Sequence, residues 1–264
     1  MSDELACSAP AATAAELTRG AVSEGTRVEL TRLLVTSYEF LVFHSKSSGA
    51  CLWGVYAADA DTVEHAGVLL VAYGDSAQGE APCALDTDAI WGGVQPGDRV
   101  TARGTVSRYA PSACSNLAPS VQLLLEARCP LSLAGSGPLF EPSPLGNVEA
   151  DGVAAAEPSA ISRWGGRLVS LPAQAALAAA DGVGSVAPYG VVRLGGTALE
   201  LHDALSFMDV RGSGPADPGK SLRFPASTRF SRLVGVVHLD YCTWALAPRD
   251  ACVDLAPPSA NCPE

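Results

Sequence analysis

Apolar and polar residues alternate over short runs in this chain, and the runs are separated by turn chemistry. From Arg99 to Arg108, β-branched residues stand at Val100, Thr101, Thr105 and Val106, with Gly104 among them and Pro96-Gly97-Asp98 just before. Proline presets φ and glycine is free to make it positive, so the tripeptide reads as a turn feeding a strand. A glycine inside a strand marks a bulge or a sharp bend. Breaks at Ala110-Pro111-Ser112 and Leu117-Ala118-Pro119 precede a second apolar strand, Val121 to Leu125. Upstream, Thr26 to Thr36 alternates as a long first strand with Val28, Leu30 and Leu33 inward. Glu39 to His44 and Ala50 to Ala57 read as a hairpin closed over Ser45 to Gly49, and Gly67 to Tyr73 as another strand. The small and acidic residues between Gly74 and Trp91 predict a long loop, with a helical turn at Thr87 to Trp91.

The plan recurs near the end. Arg229 to Leu239 is strand-like around Gly235, Cys242 follows as Cys114 did, and Leu246-Ala247-Pro248 matches Leu117-Ala118-Pro119, with a Val/Leu strand beyond. Gly165 to Leu171 opens this second copy, and Ala173 to Ala180 reads as strand or loop despite its helix-prone composition. Tyr189 to Leu194 and Thr197 to His202 predict a hairpin across Gly195-Gly196, and Arg211 to Gly219 a loop. A repeat this long means two domains, not a solenoid. The division expected is a tail over 1–22, in which Ala11 to Arg19 reads as a short helix or a frayed end, a domain over 23–130, a Pro/Gly-rich linker over 131–152, a second domain over 153–256 and a tail over 257–264.

The segments PGDRVTARGTVSRY and RFSRLVGVVHLDYCTWALAPRDACVDL resemble the last two strands of small OB-type barrels. Such barrels occur in tandem in bacterial secreted proteins and lipoproteins, some fused to extracellular nucleases. The resemblance covers 15–130 more fully than 147–256 and rests on glycines, turns and alternation, which specify an architecture and no active site. It implies an all-β chain of two tandem small OB-like (Greek-key) β-barrels with little helix. Barrels of this class present ligands to the face of their second and third strands and to nearby loops. The residues so implied are Tyr38, His44, Trp53 and Tyr109 with Arg108 in the first domain, and Tyr189, Tyr241, Trp244 and Arg249 in the second. Aromatics there would stack on bases or sugars; Trp53 and Tyr189 read better as packing residues.

Composition narrows the class. The chain has 264 residues, 48% apolar and 17% charged, enough for two folded domains and unlike a disordered protein. Its net charge is −11: residues 1–140 carry 8 basic and 15 acidic groups, residues 141–264 carry 9 and 13. Neither half has the basic excess that phosphate binding favours. One local patch, Lys220, Arg223, Arg229 and Arg232 with Phe224 and Phe230 between them, has the look of a small single-strand nucleic-acid footprint. Its ordinary reading is a strand edge guarded by arginine.

Eight cysteines stand at 7, 51, 83, 114, 129, 242, 252 and 262, without CxxC or zinc spacing. They point to disulfides and an extracytoplasmic site: periplasm, cell surface or secreted. The repeat suggests Cys114–Cys129 and Cys242–Cys252 flanking the last strand of each copy, then Cys51–Cys83 and, by elimination, Cys7–Cys262. The other reading is that some are free, buried thiols. Met1 to Ala6 lacks the cationic and apolar regions of a signal peptide, and Glu4-Leu5-Ala6-Cys7 is a poor lipoprotein signal with no apolar run before it. No stretch reaches the roughly 18 apolar residues of a membrane span, so a soluble chain is expected.

Catalytic chemistry is not signalled. Histidines at 44, 65, 202 and 238 lie far apart in sequence, and no HExxH, GxSxG or Walker pattern occurs. Asp59-Ala60-Asp61 and Asp86-Thr87-Asp88 pair carboxylates at i, i+2, short of the six to eight oxygens that calcium takes, and read as solvated acidic loops. No enzyme, metal or cofactor is expected. The expected function is a non-enzymatic binding or scaffold protein contacting a protein or cell-envelope ligand through barrel loops. The alternative is a single-stranded nucleic-acid-binding accessory module of a secreted nuclease system, disfavoured by charge.

Overall fold

The computed structural model describes residues 7–44, 50–62, 64–74, 93–110, 114, 117–126, 128–129, 131–137, 141–172, 178–179, 191–195, 197–205, 222, 224, 228–240, 242–258 and 262. The fold is mostly β, in two sheets with three short helices among these residues. The chain divides into two compact units, 1–110 with 119–140 and 111–118 with 141–264.

Unit 1 begins with β1 (Ala11–Ala12), α1 (Ala14–Thr18) and β2 (Arg27–Val35). It continues through β3 (Phe40–His44), β4 (Cys51–Asp59), β5 (Gly67–Gly74), β6 (Asp98–Tyr109), β7 (Ser120–Leu125) and β8 (Ser132–Ser136). The sheet runs β1-β2-β4-β5-β7-β6-β8, with β3 beside β4. Strand β6 also pairs with β2, so the ladder β2-β4-β5-β7-β6 leads back to β2. All pairings are antiparallel except β1–β2 and β5–β7.

Alternation explains the core. Val28, Leu30, Trp53, Val55, Leu70, Val100, Ala102, Val106 and Leu123 fill it. Strict alternation would send Arg32 inward and Leu33 outward. A bulge between Leu30 and Leu33 resets the phase: Arg32 takes φ 58° and turns out, and Leu33 is fully buried. Of the two readings of Ala11 to Arg19 the short helix is the one observed, and α1 drives Ala14 and Leu17 into the same core. A Thr13/Glu16 capping box starts that helix. The Asp59 carboxylate then accepts from the N–H groups of Ala14 and Ala15, at 3.0 and 2.9 Å.

Unit 2 comprises β9 (Ser143–Pro144), α2 (Asn147–Ala154), α3 (Pro158–Ser162), β10 (Leu168–Leu171), β11 (Ala178–Ala179) and β12 (Val191–Gly195). It ends with β13 (Glu200–His202), β14 (Arg232–Asp240), β15 (Thr243–Ala247) and β16 (Leu255–Ala256). Its order is β11-β12-β13-β15-β14-β10-β9, with β16 beside β14. The parallel pairs are β9–β10 and β13–β15. Among the described residues the two units share much of one plan: a short strand, helix, a strand parallel to the first, and a run of partners with one parallel pair in the same place, although the β2–β4 pairing of unit 1 has no counterpart between β10 and β12. Val153, Ile161, Trp164, Leu171, Phe230, Val237, Trp244 and Leu246 fill the second core. The stretch 131–152, expected as a linker, carries β8, β9 and most of α2.

Gly104 and Gly235 occupy matching places on β6 and β14. A Cβ on Gly104 would stand 2.3 Å from the Leu124 carbonyl oxygen, and one on Gly235 2.9 Å from that of Ala247. Both glycines therefore serve close strand approach.

The Leu-Ala-Pro alignment was misleading. In unit 1 the last ladder strand, β7, follows Pro119; in unit 2 its counterpart β15 ends at Ala247, before Pro248. Asp240 faces Thr243, a two-residue connection, whereas Tyr109 faces Ser120 across ten residues. The cysteines consequently do not occupy equivalent positions, and the pairings expected from the repeat are corrected. Cys7 bonds Cys129, Cys114 bonds Cys242 and Cys252 bonds Cys262, in place of 114–129, 242–252 and 7–262. Cys51 is also disulfide-bonded, while Cys83 lies outside the described residues. The hairpin across Gly195-Gly196 is also longer than a primed turn, since Arg193 faces Glu200 and Leu194 N–H donates to Leu199 O at 3.4 Å. The expectations for 45–49, 75–92, 173–177, Tyr189 and Arg211 to Gly219 lie outside the described residues.

Candidate functional site

Strands β3, β4 and β5 form a continuous antiparallel wall in which Phe43 faces Leu52 and Leu52 faces Tyr73. Directly opposed residues project from the same side, so the three form one row. On β4, Cys51, Trp53, Val55 and Ala57 point into the core, which turns Leu52 outward. Phe43 is 58% exposed and Tyr73 62% exposed, with Leu52 half-buried between them.

The adjacent row on that face, Phe40-Gly54-Val71, is covered. Phe40 stacks on Tyr56 with ring centroids 5.5 Å apart. Gly54 leaves room that a Cβ would take from Val42 Cγ2, at 2.6 Å, and Leu69 Cδ1, at 3.0 Å. The exposed apolar surface on the described part of this wall is therefore a single strip. Two strand spacings separate Phe43 from Tyr73, which sets their backbones about 10 Å apart.

The residues implied by the resemblance do not gather at this row. The Arg108 guanidinium donates to the Leu17 and Val22 carbonyls, at 2.7 and 3.3 Å, and so caps the end of α1. Tyr109 is exposed at the end of β6, and Tyr38 is half-buried between β2 and β3. Trp53 packs in the core, as the packing reading expected. Trp244 is buried in the second core, in contact range of Gly165, whose Cβ would meet the indole at 2.7 Å. Arg249 clasps Asp254, with Nε to Oδ2 at 3.2 Å and Nη2 to Oδ1 at 3.0 Å, and its own N–H joins at 2.9 Å. The His44 side chain, Tyr189 and Tyr241 lie outside the described residues.

Of the basic patch, Arg229 and Arg232 are exposed, while Lys220 and Arg223 lie outside the described residues. Phe224 and Phe230 are core residues packed edge to face at 4.9 Å, so they offer no stacking surface between the arginines. The Asp59-Ala60-Asp61 pair is divided between structural tasks: Asp59 anchors α1 and Asp61 pairs with Arg32 at 3.0 Å. Asp86 and Asp88 lie outside the described residues. His202 and His238 are buried with rings 5.5 Å apart, and His202 Nδ1 accepts the Ala204 N–H at 3.0 Å. Among the described residues no group of three His, Cys, Asp or Glu is disposed to hold a metal.

One ion pair shifts its partners. Arg27 Nη2 donates to Glu126 Oε2 at 2.7 Å. That hydrogen bond holds the Glu126 carboxyl below the usual carboxylate range, against the opposing effect of burial, and raises Arg27.

Sequence reasoning missed Phe43, Leu52 and Tyr73. FLVFH and LLVAY are apolar on both faces, so only the pairing register tells which side chains meet water. Comparison of the chain with protein-family models and with curated proteins finds no match.

Proposed function

We propose that this chain is a non-enzymatic, extracytoplasmic binding or scaffold module that contacts a protein or cell-envelope ligand through the face of its first unit. The frame we infer is a tandem of two small OB-like barrels. The pairing circuit β2-β4-β5-β7-β6-β2, with β5 and β7 parallel, supports it, as does the same order along β12-β13-β15-β14-β10. Disulfides persist in oxidising compartments, and the three bridges support a site outside the cytoplasm. No helix among the described residues is long and apolar enough to cross a membrane.

The observation that carries the reading is the exposed row Phe43-Leu52-Tyr73 on a wall whose adjacent row, Phe40-Gly54-Val71, is covered. Large apolar side chains held rigidly at a surface are what binding faces use. The test is capture of envelope material by immobilised, oxidised protein and by a Phe43→Ser/Tyr73→Ser variant. Capture that disappears with the row supports the reading, and capture unchanged by the variant overturns it. The nucleic-acid alternative retains the exposed Arg229 and Arg232. It predicts anisotropy of a labelled single strand at about 20 mM salt that collapses by about 200 mM.

A further inference from the structure

Apart from the Phe43 row, we infer that the free edge of β8 accepts an added strand: an extended segment of a partner protein with a carboxylate on one face and apolar side chains on the other. Strand β8 ends the order of its sheet, beside β6, and all five of its residues are exposed. An edge strand turns alternate N–H and C=O groups away from its neighbour. Among the described residues β8 makes no backbone hydrogen bond except to β6. Such a row of donors and acceptors is matched by another extended backbone. Ser132 to Ser136 also holds no charge and no proline of the kind that closes an edge to pairing.

The side chains beside this edge define the partner. Arg99 faces Gly135 and Val100 faces Leu133, with a bulge between the two pairs. Directly opposed residues project from the same side, and Arg99 and Val100, adjacent on β6, project from opposite sides. Gly135 therefore shares the face of the exposed Arg99, and Leu133 lies on the other. An added strand would run about 4.8 Å beyond β8 and so about 10 Å from β6. Gly135, at φ 144°, leaves that span open, since beyond its chain neighbours no atom lies within 4 Å of where its Cβ would stand. Arg99 closes the span from one end and a carboxylate side chain from the other. On the opposite face Leu133, 60% exposed, offers an apolar contact.

Charge selects between partners. Arg103, two residues along the same face of β6, is already paired with Glu29, whereas Arg99 has no ion pair among the described residues. A carboxylate opposite Gly135 supplies the missing counter-charge, and arginine can hold it at two points. A second copy of β8 brings no acidic residue to that place and adds a second Arg99. The segment that fits is therefore another protein's.

The test uses the full oxidised chain and a labelled nine-residue peptide that alternates serine or threonine with valine and carries glutamate at the centre of its polar face. Saturable binding by anisotropy is expected, and the same peptide with lysine for glutamate should bind about fivefold more weakly. Arg99→Glu should reverse that preference. Leu133→Ser should weaken both peptides alike, and N-methylation of alternate peptide residues, which removes their N–H donors, should abolish binding. Arg99 and Leu133 are exposed, so circular dichroism and melting temperature of the variants should match the parent. The Phe43→Ser/Tyr73→Ser variant should bind the peptide as the parent does, which reads this edge separately from the row. No binding of the glutamate peptide overturns the inference, as do equal binding of both peptides, binding that survives N-methylation, or binding lost with the row. Sedimentation showing a dimer that Leu133→Ser disrupts would assign the edge to a second copy instead.

Discussion

Replacing Gly104 by alanine tests the strand geometry most directly. The added Cβ would lie 2.3 Å from the Leu124 carbonyl oxygen, 2.9 Å from its carbon and 3.0 Å from Leu123 Cγ. Reaching even 3.0 Å from that oxygen requires β6 and β7 to part by about 0.7 Å, which takes ladder hydrogen bonds out of range. Gly104 cannot retreat the other way, because it is also paired with Val28 of β2. Two ladder bonds at about 1 kcal/mol each are at stake, and a buried group left without a partner costs about 1–3 kcal/mol more. Alanine returns about 0.5–1 kcal/mol by restricting the unfolded chain. The net expectation is a loss of about 3 kcal/mol.

Calorimetry of the oxidised protein should show this as a fall of roughly 10 °C in the transition of unit 1. Gly235→Ala, whose Cβ would meet Leu246 Cγ at 2.8 Å and the Ala247 carbonyl at 2.9 Å, should lower the unit 2 transition comparably. Gly137→Ala is the control, since its nearest neighbour is Gly97 O at an ordinary 3.5 Å. A Gly104→Ala protein within about 1 kcal/mol of the parent would refute the close-approach reasoning, because relaxation on that scale is incompatible with strands paired on both sides.

Three further outcomes follow from individual side chains. Arg249→Ala takes the guanidinium from the Asp254 carboxylate, which is 1% exposed and keeps only the backbone N–H groups of residues 249 and 250, and should cost about 3 kcal/mol in urea unfolding; an unchanged midpoint would return Arg249 to the pool of ligand-facing residues. Ala156 holds φ 52° just past α2, where Ala156 N–H reaches Val153 O and Glu157 N–H reaches Gly152 O. Glycine suits that position, so Ala156→Gly should stabilise by about 0.5–1 kcal/mol despite its looser unfolded chain, and a loss in the same melt would contradict the assignment. Glu126 is held below its ordinary value of 4.5 by Arg27, so its contribution is complete above that value and fades as pH falls through the lowered one. The stability gap between parent and Glu126→Gln should therefore be level from neutral pH down to about 5 and shrink in acid; a gap that grows in acid would reverse the sign.

Most strands could be read from the residues because their signal is local. The β2 limits Arg27–Val35 and the β6 limits Asp98–Tyr109 fall within a residue or so of the alternating runs. What alternation cannot give is phase after a bulge, which is why Leu33 needed Arg32 turned out, or which face of an apolar run meets water. The helices carry a weaker signal for a different reason. The composition of Ala11 to Arg19 admits a short helix or a frayed tail, and five-residue α1 is too short to stand on propensity alone; Asp59, 44 and 45 residues away, accepts from its first N–H groups. Arg108 and Arg249 looked available for a ligand because sequence shows a charge and not the carbonyls or carboxylate already bound to it. The candidate site itself was illegible for want of register.

The cysteines show what a repeat does and does not transmit. The order of partners is common to both units because it is set by which faces must be buried, and that requirement is the same in each. Connection length is not constrained in this way, since extending a loop costs little. The ladder thus keeps a two-residue link after Asp240 and a ten-residue one after Tyr109 with equal ease. A cysteine inherits its position from the connection and not from the ladder. Cys114, carried on the longer link, bonds Cys242 across 128 residues of sequence, and Cys252 bonds Cys262 across only 10. Equivalent strands can therefore be inferred from a repeated glycine and its flanking alternation, as Gly104 and Gly235 allow. Disulfide partners require the lengths of the loops between them.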